Sequence, residues 1–209
     1  MTEDCYRQVA ALHAQCIGQG FLATLGIPFL AQMYRAIDQA DGSVLLVERR
    51  NGQIMGFVSG GVGMRAIYRR MLRSPFRLGW SLLPVLFKPR SLARIAEILR
   101  YGRGRPAMAA FPEAELLSIA VAPDLRGSGV AESLYRRLVV HFKEQGVLAF
   151  KITVGDALAP AHRFYLRMGA VPAGKVEVHA GDASTVYVHD CACEGIRYGQ
   201  DSNVNPAIT

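Results

Sequence analysis

One stretch of sequence decides the fold, Leu117-Ser-Ile-Ala-Val-Ala-Pro-Asp-Leu-Arg-Gly-Ser-Gly-Val-Ala131. Its apolar start predicts a β-strand over residues 116–121, and a helical pattern begins at Gly129. Gly127 and Gly129 let the backbone approach a ligand without a Cβ in the way. The first turn of the helix offers unpaired N–H groups and a positive dipole end, and Arg126 adds a charge with forked donors. The stretch therefore predicts an anion site suited to phosphate.

Two familiar phosphate-binding motifs do not match this loop. A Walker A loop requires a lysine directly after its second glycine, and none follows Gly129. The dinucleotide fingerprint G-x-G-x-x-G requires a glycine where this chain has Glu132. The residues of the loop by themselves leave a simple tight turn open as the alternative.

The elements predicted around this stretch follow an α/β order. Apolar residues at spacings of three and four predict helices within residues 4–40. Asn51-Gly52 between two apolar runs predicts a β-hairpin, which we expect to end at Gly60-Gly-Val-Gly63. The remaining predicted elements are a helix over 129–145, a strand over 147–154, a helix over 159–168, and strands over 171–179 and 184–190.

Residues 64–106 interrupt this order and carry the charge of the chain. Between Arg65 and Arg105 there are eleven basic residues and one acid, Glu97, so this segment has a charge of +10. Because the net charge of the whole chain is +7, the other residues together carry about −3. We predict a helical insertion here, with one helix from Ser91 to Tyr101.

Three interpretations of the insertion remain open. In the first it is an acceptor lid whose arginines bind an anionic acceptor such as a nucleotide sugar. In the second it is a membrane-surface segment whose apolar residues, from Phe76 to Phe87, insert into the lipid interface. In the third it is a pair of helices with a solvated basic face. We expect no nucleic-acid partner, because no recognisable nucleic-acid-binding fold accompanies the arginines. The arginines of the first interpretation are Arg65, Arg69, Arg70 and Arg73.

Composition limits the class of protein. The 209 residues are 51% hydrophobic and 20% charged, which predicts one globular domain over residues 1–197 and a flexible tail over 198–209. No apolar run reaches the ~18 residues of a membrane span, and the acidic start has no apolar stretch typical of a signal peptide. We therefore expect a cytoplasmic protein. Its four cysteines are predicted to be free thiols, and its five histidines lack metal-binding spacing, so we expect no metal site.

Two motifs together resemble a known family. Arg126-Gly-Ser-Gly129-Val-Ala131 is similar to the R/Q-x-x-G-x-G/A signature of the GNAT N-acetyltransferases, and Ala161-His-Arg-Phe-Tyr-Leu-Arg-Met-Gly169 looks like their second signature, A-x-x-F-Y-x-x-x-G-F. The resemblance is specific over residues 113–190, looser over 4–63, and does not explain 64–106. It implies the GNAT fold of the α/β (α+β) class, with a central mixed, mostly antiparallel sheet flanked by helices. In this chain the helical basic insertion lies between the early hairpin and the catalytic strand.

The resemblance also implies a cosubstrate, acetyl-CoA. In such enzymes the loop amides bind the pyrophosphate of coenzyme A, and the strand before the loop splays from its neighbour. The pantetheine arm then pairs with backbone groups around Ile119 and Val121, and an N–H near Val121 polarises the acetyl carbonyl. The implied cofactor-binding residues are Ile119, Ala120, Val121, Arg126, Gly127, Ser128, Gly129, Val130 and Ala131.

Two catalytic side chains follow from the same resemblance. An attacking amine must lose a proton, and Glu115 is the candidate base, with Glu113 as second choice and a solvated carboxylate at a strand edge as the alternative. Tyr165 matches the tyrosine that the family often uses to protonate the leaving thiolate; the alternative is a core tyrosine.

The chain departs from the family pattern at three places. Leu158 replaces an asparagine seven residues before the tyrosine, Ala170 replaces an aromatic residue, and the usual first strand is hard to find. The predicted function is acetyl transfer to the amine of a small acceptor, for example an amino sugar on a nucleotide or lipid carrier. The alternatives are a non-catalytic CoA-binding or protein-interaction member and a membrane-surface acyltransferase; a peripheral membrane contact and a homodimer stay open.

Overall fold

A six-stranded mixed sheet organises the computed structural model, which describes residues 1–18, 21–73, 110–179 and 182–192. The strands lie in the order β1-β2-β3-β4-β6-β5; β3 and β4 are parallel, and every other neighbouring pair in this sheet is antiparallel. This confirms the predicted mixed, mostly antiparallel sheet. The strands are β1 Ser43–Arg50, β2 Gln53–Val62, β3 Ala114–Val121, β4 Ala149–Gly155, β5 Val171–His179 and β6 Asp182–Asp190.

Helices cover both faces of this sheet. On one face α1 and α2 enclose a core that includes Tyr6, Tyr34 and Phe57, and on the other a second core includes Leu138 and Phe150. The helices are α1 Glu3–Cys16, α2 Ile27–Gln39, α3 Arg65–Leu72, α4 Val130–Glu144 and α5 Ala159–Arg167, with short 3₁₀ turns at Phe21–Leu25 and Pro123–Leu125.

The β1–β2 hairpin forms where the sequence predicts it. Asn51 and Gly52 have φ angles of 52° and 80°, as a two-residue type I′ turn requires. The hairpin ends within the expected Gly60–Gly63 stretch, since β2 runs to Val62. A Cβ on Gly60 would lie 2.8 Å from side-chain atoms of both Leu138 and Phe142 of α4, so here the missing side chain makes room for a helix.

The chain enters α1 directly, and no strand precedes α1 in the described ranges. Tyr6 of α1 donates a hydrogen bond of 2.6 Å to Asp38 of α2, which joins the two helices. Of the predicted insertion only α3 is described; the predicted helix from Ser91 to Tyr101 and the predicted tail lie outside the described residues. None of the helices described is long and apolar enough to cross a bilayer.

Candidate active site

The neighbouring strands β3 and β4 pair over only two residues each. Glu115 pairs with Lys151 and Leu116 with Ile152, although β3 continues to Val121 and β4 to Gly155. The register between β2 and β3 also shifts between Ser59 and Gly60, which leaves Leu117 as an extra residue on β3. Beyond this bulge, β3 and β4 have no ladder between them, and a gap opens in the sheet.

Backbone groups of β3 point into this gap. Ala122 N donates to Met55 O at 2.8 Å, and hydrogen-bonded pairs alternate along an antiparallel ladder. Ala120 and Ser118 therefore use their main-chain groups on β2, whereas those of Ile119 and Val121 face the side of β4. The Cys16 thiol lies 3.5 Å from the Val121 carbonyl oxygen and donates to it.

The glycine-rich loop follows at the end of β3. Gly127 and Gly129 have φ angles of 79° and 84°, a left-handed conformation that favours glycine, and an added Cβ at either would meet nothing within 4 Å. Their amides have no backbone partner among the described residues, and Val130 and Ala131 begin α4, where helix amides lack an intrahelical acceptor. The loop thus presents open, unpaired N–H groups at the positive end of a helix dipole.

Ser128 differs from its neighbours in this loop. Its amide and its hydroxyl both donate to Leu125 O, at 3.2 and 2.6 Å, so in this structure Ser128 stabilises the turn. Arg126 is exposed. Glu132, in the first turn of α4, forms an ion pair of 2.6 Å with Arg167; although partial burial raises the pKa of Glu132, the Arg167 hydrogen bond lowers it overall. The negative charge of Glu132 at the start of α4 is thereby balanced by Arg167 of α5.

Glu115 lies where β3 and β4 separate. Its Oε1 accepts a hydrogen bond of 3.3 Å from Thr153, and its Oε2 is 3.8 Å from Lys151 Nζ. Burial raises the pKa of Glu115 above its ordinary value, and Lys151 and Thr153 offset only part of that effect. The pKa of Tyr68 on α3 is also raised, mainly by burial and to a smaller extent by the charge of Glu115. A carboxyl group with a raised pKa in a partly enclosed site suits a general base.

Glu113, the second-choice base, has a different environment. It is exposed, precedes β3, and its Oε1 lies 2.9 Å from the position that a Cβ on Gly63 would occupy. Gly63 has a φ angle of 72° at the end of β2, so the carboxylate packs over a turn on the rim of the sheet.

Tyr165 is buried on α5, with 6% of its surface exposed. Its ring lies 6.1 Å from the ring of Tyr135 and 6.3 Å from that of Tyr187, and burial raises the pKa of its phenol. No hydrogen-bond partner of its hydroxyl is found among the described residues. The tyrosine is therefore neutral, the form from which a phenol can donate a proton.

His162 is half-buried and bonded at both ring nitrogens. Its Nδ1 lies 2.7 Å from the Tyr187 hydroxyl and its Nε2 3.1 Å from Gly155 O. It joins α5 to β6 and to the end of β4, and so helps to place Tyr165. Leu158 caps α5 without a side-chain hydrogen bond and is 46% exposed.

Sequence reasoning missed the residues that surround Glu115. Lys151 and Thr153 occupy alternate positions of the otherwise apolar strand β4, which places both side chains on one face. That alternation was the available signal, but a strand's partner and register cannot be obtained from its own pattern. Within the described ranges no cluster of three or more His, Cys, Asp or Glu residues could hold a metal ion.

Comparison with known proteins identifies a family for this fold. The model of the acetyltransferase (GNAT) family matches residues 17–170. No curated protein sequence matches the chain significantly.

Solved structures show the same fold at low sequence identity. An N-acetyltransferase from Staphylococcus aureus Mu50 is similar with a TM-score of 0.59 and 16% identity, over 91% of this chain and 95% of that one. A ribosomal-protein-alanine N-acetyltransferase from Brucella melitensis has a TM-score of 0.57 and 16% identity, over 91% and 96%. A putative acetyltransferase of the GNAT family from Desulfovibrio desulfuricans has a TM-score of 0.55 and 16% identity, over 87% and 92%. With its family model matched over most of its length and its fold shared with these structures, the chain belongs to the GNAT acetyltransferase family.

Proposed function

We propose that this chain is an acetyl-CoA-dependent N-acetyltransferase that acts on the amine of a small acceptor. Acetyl-CoA is the acyl donor of the GNAT family. The observation that carries the proposal is the gap between β3 and β4, which begins at Glu115 and ends at the amide-lined loop. The residues fit such a donor, because the open amides suit phosphate and the main-chain groups of Ile119 and Val121 that face the gap suit an extended polar arm.

The reaction assigns a task to each side chain. The amine nitrogen attacks the thioester carbonyl, a C–N bond forms, the C–S bond breaks, and the thiol leaves with a proton. An alkylammonium is mostly protonated at neutral pH, so Glu115 takes up its proton, directly or through water. The Val121 N–H, which faces the gap, polarises the carbonyl, and Tyr165 supplies the proton to the thiolate.

For the acceptor we propose an amine that carries an anionic group, such as an amino sugar on a nucleotide or lipid carrier. Tyr68 of α3 is close enough for the Glu115 charge to raise its pKa, and Arg65 and Arg69 lie on the exposed side of the same helix. Neither arginine forms an ion pair with another described residue. An anionic group would reach these guanidinium groups while the amine lies at Glu115.

Binding is tested first, by thermal unfolding with and without acetyl-CoA. At about 100 times Kd a ligand adds about 2.7 kcal/mol, which for this chain length is roughly 5 to 10 °C in Tm. We expect that shift in the parent protein and none in Gly129→Glu, because the new carboxylate repels phosphate. Gly146→Glu is the matched control: Gly146 ends the same helix, has a φ of 74° and also has open space around it, so its shift should equal that of the parent.

Two outcomes would contradict this assignment. No shift in a well-folded parent means that the loop is only a turn. An equal loss of shift in both variants means that backbone strain, not the anion site, is responsible.

Turnover is tested by thiol release with paired amines that differ only in one phosphate. We expect release with an amine acceptor, and faster release with the phosphorylated member of the pair. Tight acetyl-CoA binding without release across a broad panel would instead indicate the non-catalytic CoA-binding alternative.

A further inference from the structure

We propose that Lys151 is a positioning residue for Glu115, one that holds the carboxylate in place and favours its ionised form. The proposal rests on the function proposed above, in which Glu115 is the base. Lys151 lies directly opposite Glu115, in one of the two residue pairs that join β3 to β4. Its Nζ is 3.8 Å from Glu115 Oε2.

Backbone contacts fix the ammonium of Lys151. The side chain is 9% exposed, and Nζ donates to Pro112 O at 2.6 Å and to Glu113 O at 3.4 Å. A buried ammonium needs such partners, because burial without hydrogen bonds is costly. These carbonyls belong to the segment that enters β3, so Lys151 ties the base to the chain that arrives from the insertion.

The groups that face Glu115 come from two elements in the described part of the chain. Lys151 and Thr153 approach from β4, one to each carboxylate oxygen, and the Glu115 charge also acts on Tyr68 of α3. Lys151 is the cation of this set. Without Lys151, only the Thr153 hydrogen bond would oppose the rise in the pKa of Glu115 that burial causes. Glu115 would then keep its proton to higher pH.

The same pair affects an incoming amine. A lone carboxylate favours the ammonium form of a substrate, which has no lone pair for attack. With the Lys151 ammonium beside it, the local charge is close to zero, and a second cation is less favoured. The pair therefore favours release of the proton that the amine must lose.

The experiment is a titration of the Glu115 carboxyl carbon by ¹³C NMR, with Glu115→Gln used to assign the signal. We expect Lys151→Met to raise the apparent pKa of Glu115 by about one pH unit or more. The acid limb of kcat/KM should move upward by the same amount. Lys151→Arg keeps the charge and should restore most of the parent profile. Lys175→Met is the matched control, because Lys175 pairs with the exposed Asp156 and its loss changes net charge equally.

The proposal fails if the Glu115 titration in Lys151→Met matches that of the parent, or if activity falls at all pH values with the limb unmoved. The latter result would mean that Lys151 only stabilises the backbone, through its hydrogen bonds to Pro112 O and Glu113 O. If Lys151→Met does not fold, Lys151→Gln takes its place, since its amide can still donate to a backbone carbonyl. Because the NMR titration needs no turnover, absence of acetyl transfer would overturn the proposed function separately.

Discussion

Glu113 and Glu115 are two residues apart, yet their surroundings give them different chemistry. Glu115 meets Lys151 and Thr153 at the start of the gap between β3 and β4, whereas Glu113 is exposed and packs over the turn at Gly63. Enclosure raises the pKa of a carboxyl group and improves its match to an amine proton near neutral pH. The structure thus offers a paired test of the base.

We expect Glu115→Gln to lower kcat by about 10²- to 10⁴-fold, the usual contribution of a general base. Glu113→Gln should stay close to the parent, and both variants should keep the Tm shift with acetyl-CoA. In the parent, the rate should fall as the pH drops through a value above the ordinary carboxyl range, because protonated Glu115 cannot accept a proton. Equal, small losses in the two variants would point to water as the base.

A motif can nominate single residues for a site. Glu115 and Tyr165 were nominated because each lies at a fixed distance from a recognisable signature, and their catalytic roles stay predictions. Lys151 was not found, because its role depends on the register between two strands that are more than thirty residues apart in sequence. The partners of His162, Tyr187 and Gly155, are likewise brought together only by the sheet.

At the scale of elements, α4 lies directly on the backbone of β2. An added Cβ at Gly60 would come within 2.8 Å of Leu138 and Phe142, two fully buried side chains. Gly60→Ala should therefore destabilise the protein by roughly 1 to 3 kcal/mol, as overpacking of a core does.

Chemical denaturation measures this effect, with Gly155→Ala as the control. Gly155 is also a strand glycine, but a Cβ there would meet only Leu158 Cδ1 at 3.9 Å, which is ordinary contact. If Gly155→Ala lowered the free energy of unfolding as much as Gly60→Ala, the close approach of α4 would not be the reason that strand glycines are needed.

The elements themselves were largely predictable, since apolar spacing and turn residues are local signals. The Asn51-Gly52 turn and the strand–loop–helix around Gly129 confirm this. β2 ends within the predicted Gly60–Gly63 stretch, but the sequence alone does not show that Gly60 makes room for α4. The departure of β3 from β4 was expected from the family resemblance, but no pattern within either strand indicates it.

At the scale of the whole molecule, two buried histidines link stability to pH. His13 packs between Tyr34 and Phe57, and its Nδ1 lies 2.6 Å from the Tyr34 hydroxyl. Burial lowers the pKa of His13 to about 4. Burial also lowers the pKa of His189, whose ring nitrogens have no hydrogen-bond partner among the described residues. Both side chains are therefore neutral in the folded protein at neutral pH.

We expect the free energy of unfolding to fall as the pH drops from about 6.5 to about 4. In this window the unfolded chain binds a proton at His13 and the folded chain does not, so protonation favours unfolding, and the lowered pKa of His189 acts in the same direction. His13 alone accounts for roughly 3 kcal/mol.

His13→Asn keeps an acceptor near the Tyr34 hydroxyl and removes the titration. Denaturant unfolding at several pH values should then show a shallower decline in the variant. Glu115, with its raised pKa, acts in the opposite direction over part of this range, so the slopes of parent and variant are compared. Identical slopes would mean that His13 binds its proton as readily in the folded protein.

The short contact between β3 and β4 has a mechanical consequence. By main-chain hydrogen bonds the sheet is two antiparallel halves of three strands each, β1-β2-β3 and β4-β6-β5, joined at two residue pairs. Continuity between the halves rests instead on the side-chain core that runs from Val58 through Tyr135 to Tyr187. Cooperative unfolding of the chain therefore depends on those side chains rather than on an unbroken ladder. A ligand bound between the two halves would contact both of them and so strengthen the link between them.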